Sequence, residues 1–128
     1  MWCSAVDTHL KLLNCIISGA SFLTGGVFEC DLAHRRSAAV LCMLFKIRCI
    51  SFHPLYGALP EPYVPVRVTR SAVIAHRYTY APLRCRTSQY SRTFTPFSVS
   101  LWDDISDPVF DSERLAGFKS GANAFLLA

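Results

Sequence analysis

Residues 38–45 read Ala-Ala-Val-Leu-Cys-Met-Leu-Phe, eight positions with no charged or amide side chain. A helix through this stretch is apolar on every side and has no face to give to water, so it must lie at the centre of the core. Eight residues fall far short of the roughly 20 needed to cross a bilayer, and no longer apolar run occurs. Asp31 is a good N-cap, and Lys46 and Arg48 occupy the last turn, where the helix dipole favours cations. The pattern predicts a helix beginning after Asp31, with Arg35 and Arg36 in its first turns, and ending at Arg48 or Cys49. With 128 residues, 52% hydrophobic and 17% charged, the chain suits one core and one domain, and its composition argues against wholesale disorder.

The remaining segments are organised around that helix. Leu10, Leu13, Ile16 and Ile17 recur at helical spacing, which predicts a helix over 7–18, capped by Asp7 or Thr8 and closed by Gly19. Thr24-Gly25-Gly26 reads as a turn. Pro54, Pro60, Pro62 and Pro65 then accompany Gly57, a density that neither a helix nor a central strand tolerates. The expected organisation over 1–128 is a single domain with a helical half (1–52), an extended, partly polyproline linker (53–66), and a basic extended plus helical half (67–128). Val66–Arg70 and Ala72–Ile74 favour extended structure and can form a short β-hairpin. Arg86–Phe94 reads as a short strand or an ordered loop. Thr95-Pro96 predicts a helix start with proline in first position, Phe97, Leu101, Trp102 and Ile105 on one face, and Pro108 as its end. A last helix from Ser112 carries Leu115, Phe118, Ala122, Phe125 and Leu126. Gly117 and Gly121 weaken it by roughly 1 kcal/mol each relative to alanine, so packing must hold it. The fold class is mainly α, a small helical domain.

Few chemistries fit these residues. Gly25-Gly26 lacks the lysine and hydroxyl of a phosphate loop, and no Gly-x-Ser-x-Gly elbow occurs. Asp103-Asp104 is the only adjacent acid pair, and with no converging ligands it reads as a solvated patch. Cys30 with His34, and Cys49 with His53, each place a thiol and an imidazole four residues apart. They would stand at opposite ends of one helix, about 28 Å apart at 1.5 Å per residue, which argues against a shared zinc site. The six cysteines at 3, 15, 30, 42, 49 and 85 are expected to be free thiols in a reducing, intracellular compartment, because the first thirty residues lack the pattern of a secretory leader. No catalytic residue, metal or cofactor is expected.

Charge is the more informative property. Residues 62–102 hold Arg67, Arg70, Arg77, Arg84, Arg86 and Arg92 and no acid, whereas 103–128 set five acids against Arg114 and Lys119. Tyr63, Tyr78, Tyr80, Tyr90 and Phe94 are interleaved with these arginines. Guanidinium groups neutralise phosphate and aromatic faces stack on unpaired bases, a mixture suited to RNA or single-stranded DNA. The candidate contacts are Arg67, Arg70, Arg77, Tyr78, Tyr80, Arg84, Arg86, Tyr90 and Arg92. The same composition also suits a solvated surface whose tyrosines belong to the core.

Several blocks occur in the order of a known family. His34-Arg35-Arg36 leads into Val40-Leu41-Cys42-Met43-Leu44-Phe45-Lys46-Ile47. Arg86-Thr87-x-x-Tyr90-x-x-Thr93-Phe94-x-Pro96 precedes Ser100-Leu101-Trp102, and the chain closes with Leu115-x-x-Phe118-Lys119-Ser120 and Phe125-Leu126. Together with the early His9-Leu10-x-Leu12-Leu13, these resemble the C-terminal region of non-LTR retrotransposon reverse transcriptases, especially the jockey type. Family members usually carry Trp-Asn followed by Leu-Pro, where this chain has Trp102-Asp103-Asp104-Ile105-Ser106. The polymerase palm and the endonuclease have no counterpart, and Asp103-Asp104 stands in the tail block. The resemblance therefore implies a non-catalytic fragment of a decayed or truncated element. It implies accessory single-stranded nucleic-acid binding beside upstream polymerase domains, or alternatively a structural or protein-interaction remnant without nucleic-acid affinity.

Overall fold

The apolar run becomes helix α2, Leu32–Cys49, in a computed structural model that describes residues 6–26, 31–49, 52–63, 78–81, 83–105, 107–112 and 114–127. The Asp31 carbonyl accepts the first turn's bond from the Arg35 N–H at 3.1 Å. Ala38, Val40, Leu41, Leu44, Phe45 and Ile47 are buried. The burial is not uniform around the axis, however: Ala39 is exposed, and Cys42 and Met43 are half-buried. The expectation of a helix covered on all sides is corrected there, because that strip faces a groove rather than another element.

The other helices are α1 (Asp7–Leu23), α3 (Ser88–Ser91), α4 (Phe94–Asp103) and α5 (Leu115–Leu127), joined by 3-10 turns at Tyr56–Ala58 and Asp107–Asp111. Helix α1 runs through Gly19 and stops only at the glycine pair. Gly25 and Gly26 take φ of +71° and +83°, and the Gly26 N–H reaches back to the Ser21 carbonyl at 2.8 Å. That is a Schellman closure, which needs the left-handed backbone that glycine adopts without strain. Arg86–Phe94 is not a strand but a loop that holds the single turn of α3, where Thr87 caps by accepting the Tyr90 N–H on Oγ1 at 3.2 Å. Thr93, not Thr95, precedes α4, so Pro96 sits third in the helix, still within the first turn where no backbone N–H is asked of it. Helix α4 ends at Asp103, and Pro108 instead lies in the following 3-10 turn.

Among the described residues the strand-like pairing is a single antiparallel bridge between Pro62 and Tyr80. Its bonds are made by the neighbours, Tyr63 N–H to Thr79 O at 2.9 Å and Ala81 N–H to Glu61 O at 3.4 Å. Proline therefore occupies a register position where its missing N–H costs nothing. Val66–Arg70 and Ala72–Ile74, expected to be extended, lie outside the described residues. The expected polyproline stretch holds one 3-10 turn, Tyr56–Ala58.

Helices α2, α4 and α5 meet around one aromatic cluster. Phe45 stacks on Phe118 with ring centroids 4.3 Å apart, and Trp102 lies 4.7 Å from Phe110 and 5.7 Å from Phe118. Leu41, Leu44, Phe118 and Ala122 are fully buried. The two halves thus share one core. The glycines that weaken α5 explain themselves here. A Cβ on Gly121 would stand 3.0 Å from Val109 Cγ1, and one on Gly117 would stand 2.8 Å from Ser112 Oγ. The 3-10 segment lies directly on this bare strip of helix.

Two outcomes are expected in chemical denaturation. Phe45→Ala should lose about 3–5 kcal/mol, most of the stability of a domain this size. Gly121→Ala should lower the midpoint although alanine is the better helix former by about 1 kcal/mol, because β-branched Val109 cannot yield freely. A raised midpoint for Gly121→Ala would mean that the 3-10 segment is not seated on α5.

Candidate nucleic-acid interface

The nine sequence-predicted contacts separate into three groups. Arg67, Arg70 and Arg77 lie outside the described residues. Tyr78, Tyr80 and Arg92 are engaged within the protein. Arg84, Arg86 and Tyr90 are exposed.

Tyr80 is only 2% exposed, and Tyr78 is half-buried with its ring 5.3 Å from Phe110. Two hydrogen bonds tie this segment to α4: Trp102 Nε1–H donates to the Tyr78 carbonyl, and the Tyr80 N–H donates to Asp103 Oδ1, both at 3.1 Å. Asp103 is therefore a structural acceptor and not merely a solvated acid, while Asp104 is exposed. The expectation that Tyr80 could stack on a base is corrected by its burial, which leaves its ring no accessible face.

Arg48 is the cation that sequence reasoning placed only at a helix end. Its guanidinium lies 4.8 Å from the Tyr78 ring centroid and 5.3 Å from that of Tyr80. Nη1 also donates to the Tyr80 hydroxyl at 3.0 Å. The signal was present: Leu41, Leu44, Phe45 and Arg48 share one helical face, and an arginine on a core-facing stripe needs an aromatic or acidic partner. Beside it, a cleft of about 400 Å³ is bordered by Arg48, Tyr56, Leu59, Glu61 and Tyr80.

Arg92 pairs with Asp7 at 2.8 Å, both side chains well exposed, and so links α3 to α1. An exposed pair of this kind contributes little, about 0–1 kcal/mol. Arg84 and Arg86 stand on the irregular segment that leads into α3, and Tyr90, 46% exposed, is presented by the Thr87-capped turn. These three form the part of the basic segment open to a ligand among the described residues.

A second concavity, about 850 Å³, runs between α2 and α5. Ala38, Ala39 and Met43 form one wall and Leu115 and Leu127 the other, with Arg35, Lys46 and Lys119 around them. His34 Nε2 and Asn123 Oδ1, 3.1 Å apart, bridge the two helices. Burial pushes the Cys42 thiol above its ordinary range, although Lys119 and Lys46 pull it back. Cys49 is raised by burial as well, with Arg48 opposing. Cys15, Cys42, Cys49 and Cys85 are free.

His34 and Cys49 occupy opposite ends of α2, about 22 Å apart along its axis, and Nδ1 of His53 accepts the Leu55 N–H at 3.2 Å. Cys30 lies outside the described residues. Among the described ones, no three His, Cys, Asp or Glu side chains gather as a metal site would require, and no helix is long and apolar enough to cross a membrane. Comparison with family models, curated proteins and solved structures finds no match.

The Arg48–tyrosine clamp generates a stability test. Arg48→Met keeps the apolar stem but leaves the buried Tyr80 hydroxyl without its donor, and should cost about 1–3 kcal/mol. Tyr80→Phe should cost less, and the double variant should lose less than the sum of the singles in urea melts. Strict additivity would show that the two groups do not act together.

Proposed function

We propose that this chain is the non-catalytic C-terminal portion of a jockey-type non-LTR retrotransposon reverse transcriptase, and that it contacts single-stranded nucleic acid as an accessory element within the cell. What supports the family reading is the arrangement of the resembling blocks. The His34–Ile47, Arg86–Trp102 and Leu115–Leu126 blocks supply α2, α4 and α5, the helices that build the core. A preserved order of blocks that also pack together is what a retained tail unit requires. In this reading the chain performs no chemistry, and upstream polymerase domains would supply it.

The observation that carries the binding reading is the exposure of Arg84 and Arg86 together with Tyr90. Their stretch of sequence holds no acid to neutralise them. Two exposed guanidinium groups two residues apart can follow a phosphate chain, and an exposed phenol can stack on an unpaired base regardless of its identity. Tyr80 and Arg48, locked to each other, form the rigid base from which this strip departs. A specific observation also favours the second reading, a protein-interaction remnant: the outer face of α1 leaves Leu12, Ile16, Phe22 and Leu23 in water.

Fluorescence anisotropy with a labelled single-stranded RNA at several salt concentrations decides between them. Each phosphate contact contributes about −0.7 to the log–log salt slope, so Arg84→Ala with Arg86→Ala should flatten it by about 1.4, independently of sequence. Tyr90→Ala should weaken binding by about 1–3 kcal/mol. Absence of binding at low salt by the folded chain leaves the interaction reading standing.

A further inference from the structure

From Arg84 to Ser91 every residue is exposed. In and just past that run stand four aliphatic hydroxyls, at Thr87, Ser88, Ser91 and Thr93, and the local fold occupies three of them. Thr87 Oγ1 accepts the Tyr90 N–H at 3.2 Å, Ser91 Oγ donates to the Ser88 carbonyl at 2.8 Å, and Thr93 Oγ1 donates to the Tyr90 carbonyl at 2.7 Å. Among the described residues the Ser88 hydroxyl takes part in no such bond. It is thus an uncommitted hydroxyl on the outside of a single helical turn, and Arg84 and Arg86 stand four and two positions before it.

The backbone at Thr87 is already extended, with φ −127° and ψ 147°. Helix α3 has four residues, all of them exposed, so opening its one turn uncovers no core and costs little. In an extended chain side chains two apart share a face. Ser88 would then lie on the same side as Arg86 and Arg84, about 7 Å and 14 Å along the chain. A hydroxyl presented beside two guanidinium groups suits an enzyme whose acidic pockets read arginines before the acceptor. No acid occurs from 62 to 102, so nothing in the segment repels such pockets. Asp7, which the fold brings to the end of α3, is paired with Arg92 at 2.8 Å.

We propose that Ser88 is the phosphate acceptor for an arginine-directed serine/threonine protein kinase, and that its phosphate closes the Arg84–Arg86 strip to nucleic acid. In the step, Ser88 Oγ attacks the γ-phosphorus of a magnesium-bound nucleoside triphosphate. The Oγ–P bond forms as the bond to the bridging β,γ-oxygen breaks, the nucleoside diphosphate leaves with that electron pair, and the hydroxyl proton passes to the kinase's base. The product carries a charge of about −1.5 to −2 at neutral pH and three strong acceptor oxygens. Two guanidinium groups within four residues are its nearest sequence partners, and charge-assisted bonds to it compete with the same groups' bonds to a phosphate chain. The consequence for binding rests on the proposed nucleic-acid reading, whereas the acceptor assignment does not.

The test incubates the full chain with magnesium ATP and the catalytic subunit of the cyclic-AMP-dependent protein kinase, followed by mass spectrometry and RNA anisotropy. One phosphate at Ser88 is expected. Ser88→Ala should abolish it while keeping the parent's circular dichroism and RNA affinity, because the Ser88 side chain holds no bond in the fold. Arg84→Ala with Arg86→Ala should reduce incorporation strongly, since the recognised cations are gone. The phosphorylated chain should bind single-stranded RNA more weakly, with a log–log salt slope flattened by up to about 1.4, as for the double arginine variant. No phosphate at Ser88, or phosphate on another hydroxyl that persists in Ser88→Ala, overturns the acceptor assignment whatever the chain does with RNA. RNA binding that is intact and unchanged by phosphate at Ser88 overturns the switch alone. Absence of RNA binding before phosphorylation overturns the nucleic-acid reading and the switch with it, and leaves the mass of the Ser88 peptide to decide the acceptor.

Discussion

The indole of Trp102 is the point through which the rest of the structure is held. Its ring, 1% exposed, touches the rings of Tyr80, Phe110 and Phe118, contributed by three different elements. A buried indole must also place its N–H, and it does so on the Tyr78 carbonyl. That single bond is directional where ring packing is not. It fixes the otherwise irregular 78–81 segment against α4, and the Tyr80 N–H to Asp103 bond repeats the constraint two residues on. With this segment in place, the Tyr78 and Tyr80 rings stand where Arg48 can reach both, and α2 is locked to the same centre.

The arrangement divides the charge of the chain into structural and available parts. Arg48 is consumed by two aromatic faces and a hydroxyl, and Arg92 by Asp7. Arg84 and Arg86 lie just past the fixed segment, on backbone that packs little of its own. The same division explains why an apparently uniform string of arginines cannot be treated as one patch.

Apolar surface is distributed just as unevenly. The aromatic centre is closed by α2, α4 and α5, and the glycine strip of α5 admits the 3-10 segment at close range. Around the far side of α2, the strip of Ala39, Cys42 and Met43 is left facing a groove. Helix α1 is tied on by an exposed ion pair and leaves large side chains uncovered. Among the described residues, the large exposed apolar side chains thus gather on the first helix rather than around the aromatic centre.

By itself the sequence determined the helical class and the position of α2. An eight-residue apolar run with Asp31 before it and Lys46 and Arg48 near its end admits little else. It also determined that packing must hold the last helix, since Gly117 and Gly121 weaken it. What only the tertiary structure decided were matters of which side and which partner. Periodicity marks apolar positions on α1 but does not say that one stripe is covered and the other is not. A run apolar on all sides cannot reveal that Ala39 and Met43 border a groove. Arginines counted along the chain look alike until Arg48, outside the basic stretch, takes Tyr78 and Tyr80, and Asp7 takes Arg92. The Pro62–Tyr80 bridge joins positions far apart in sequence, and no local rule encodes that pairing. Local pattern fixes what a segment is, because backbone and side-chain periods are short; long-range contact fixes what it faces, because that depends on every other segment at once.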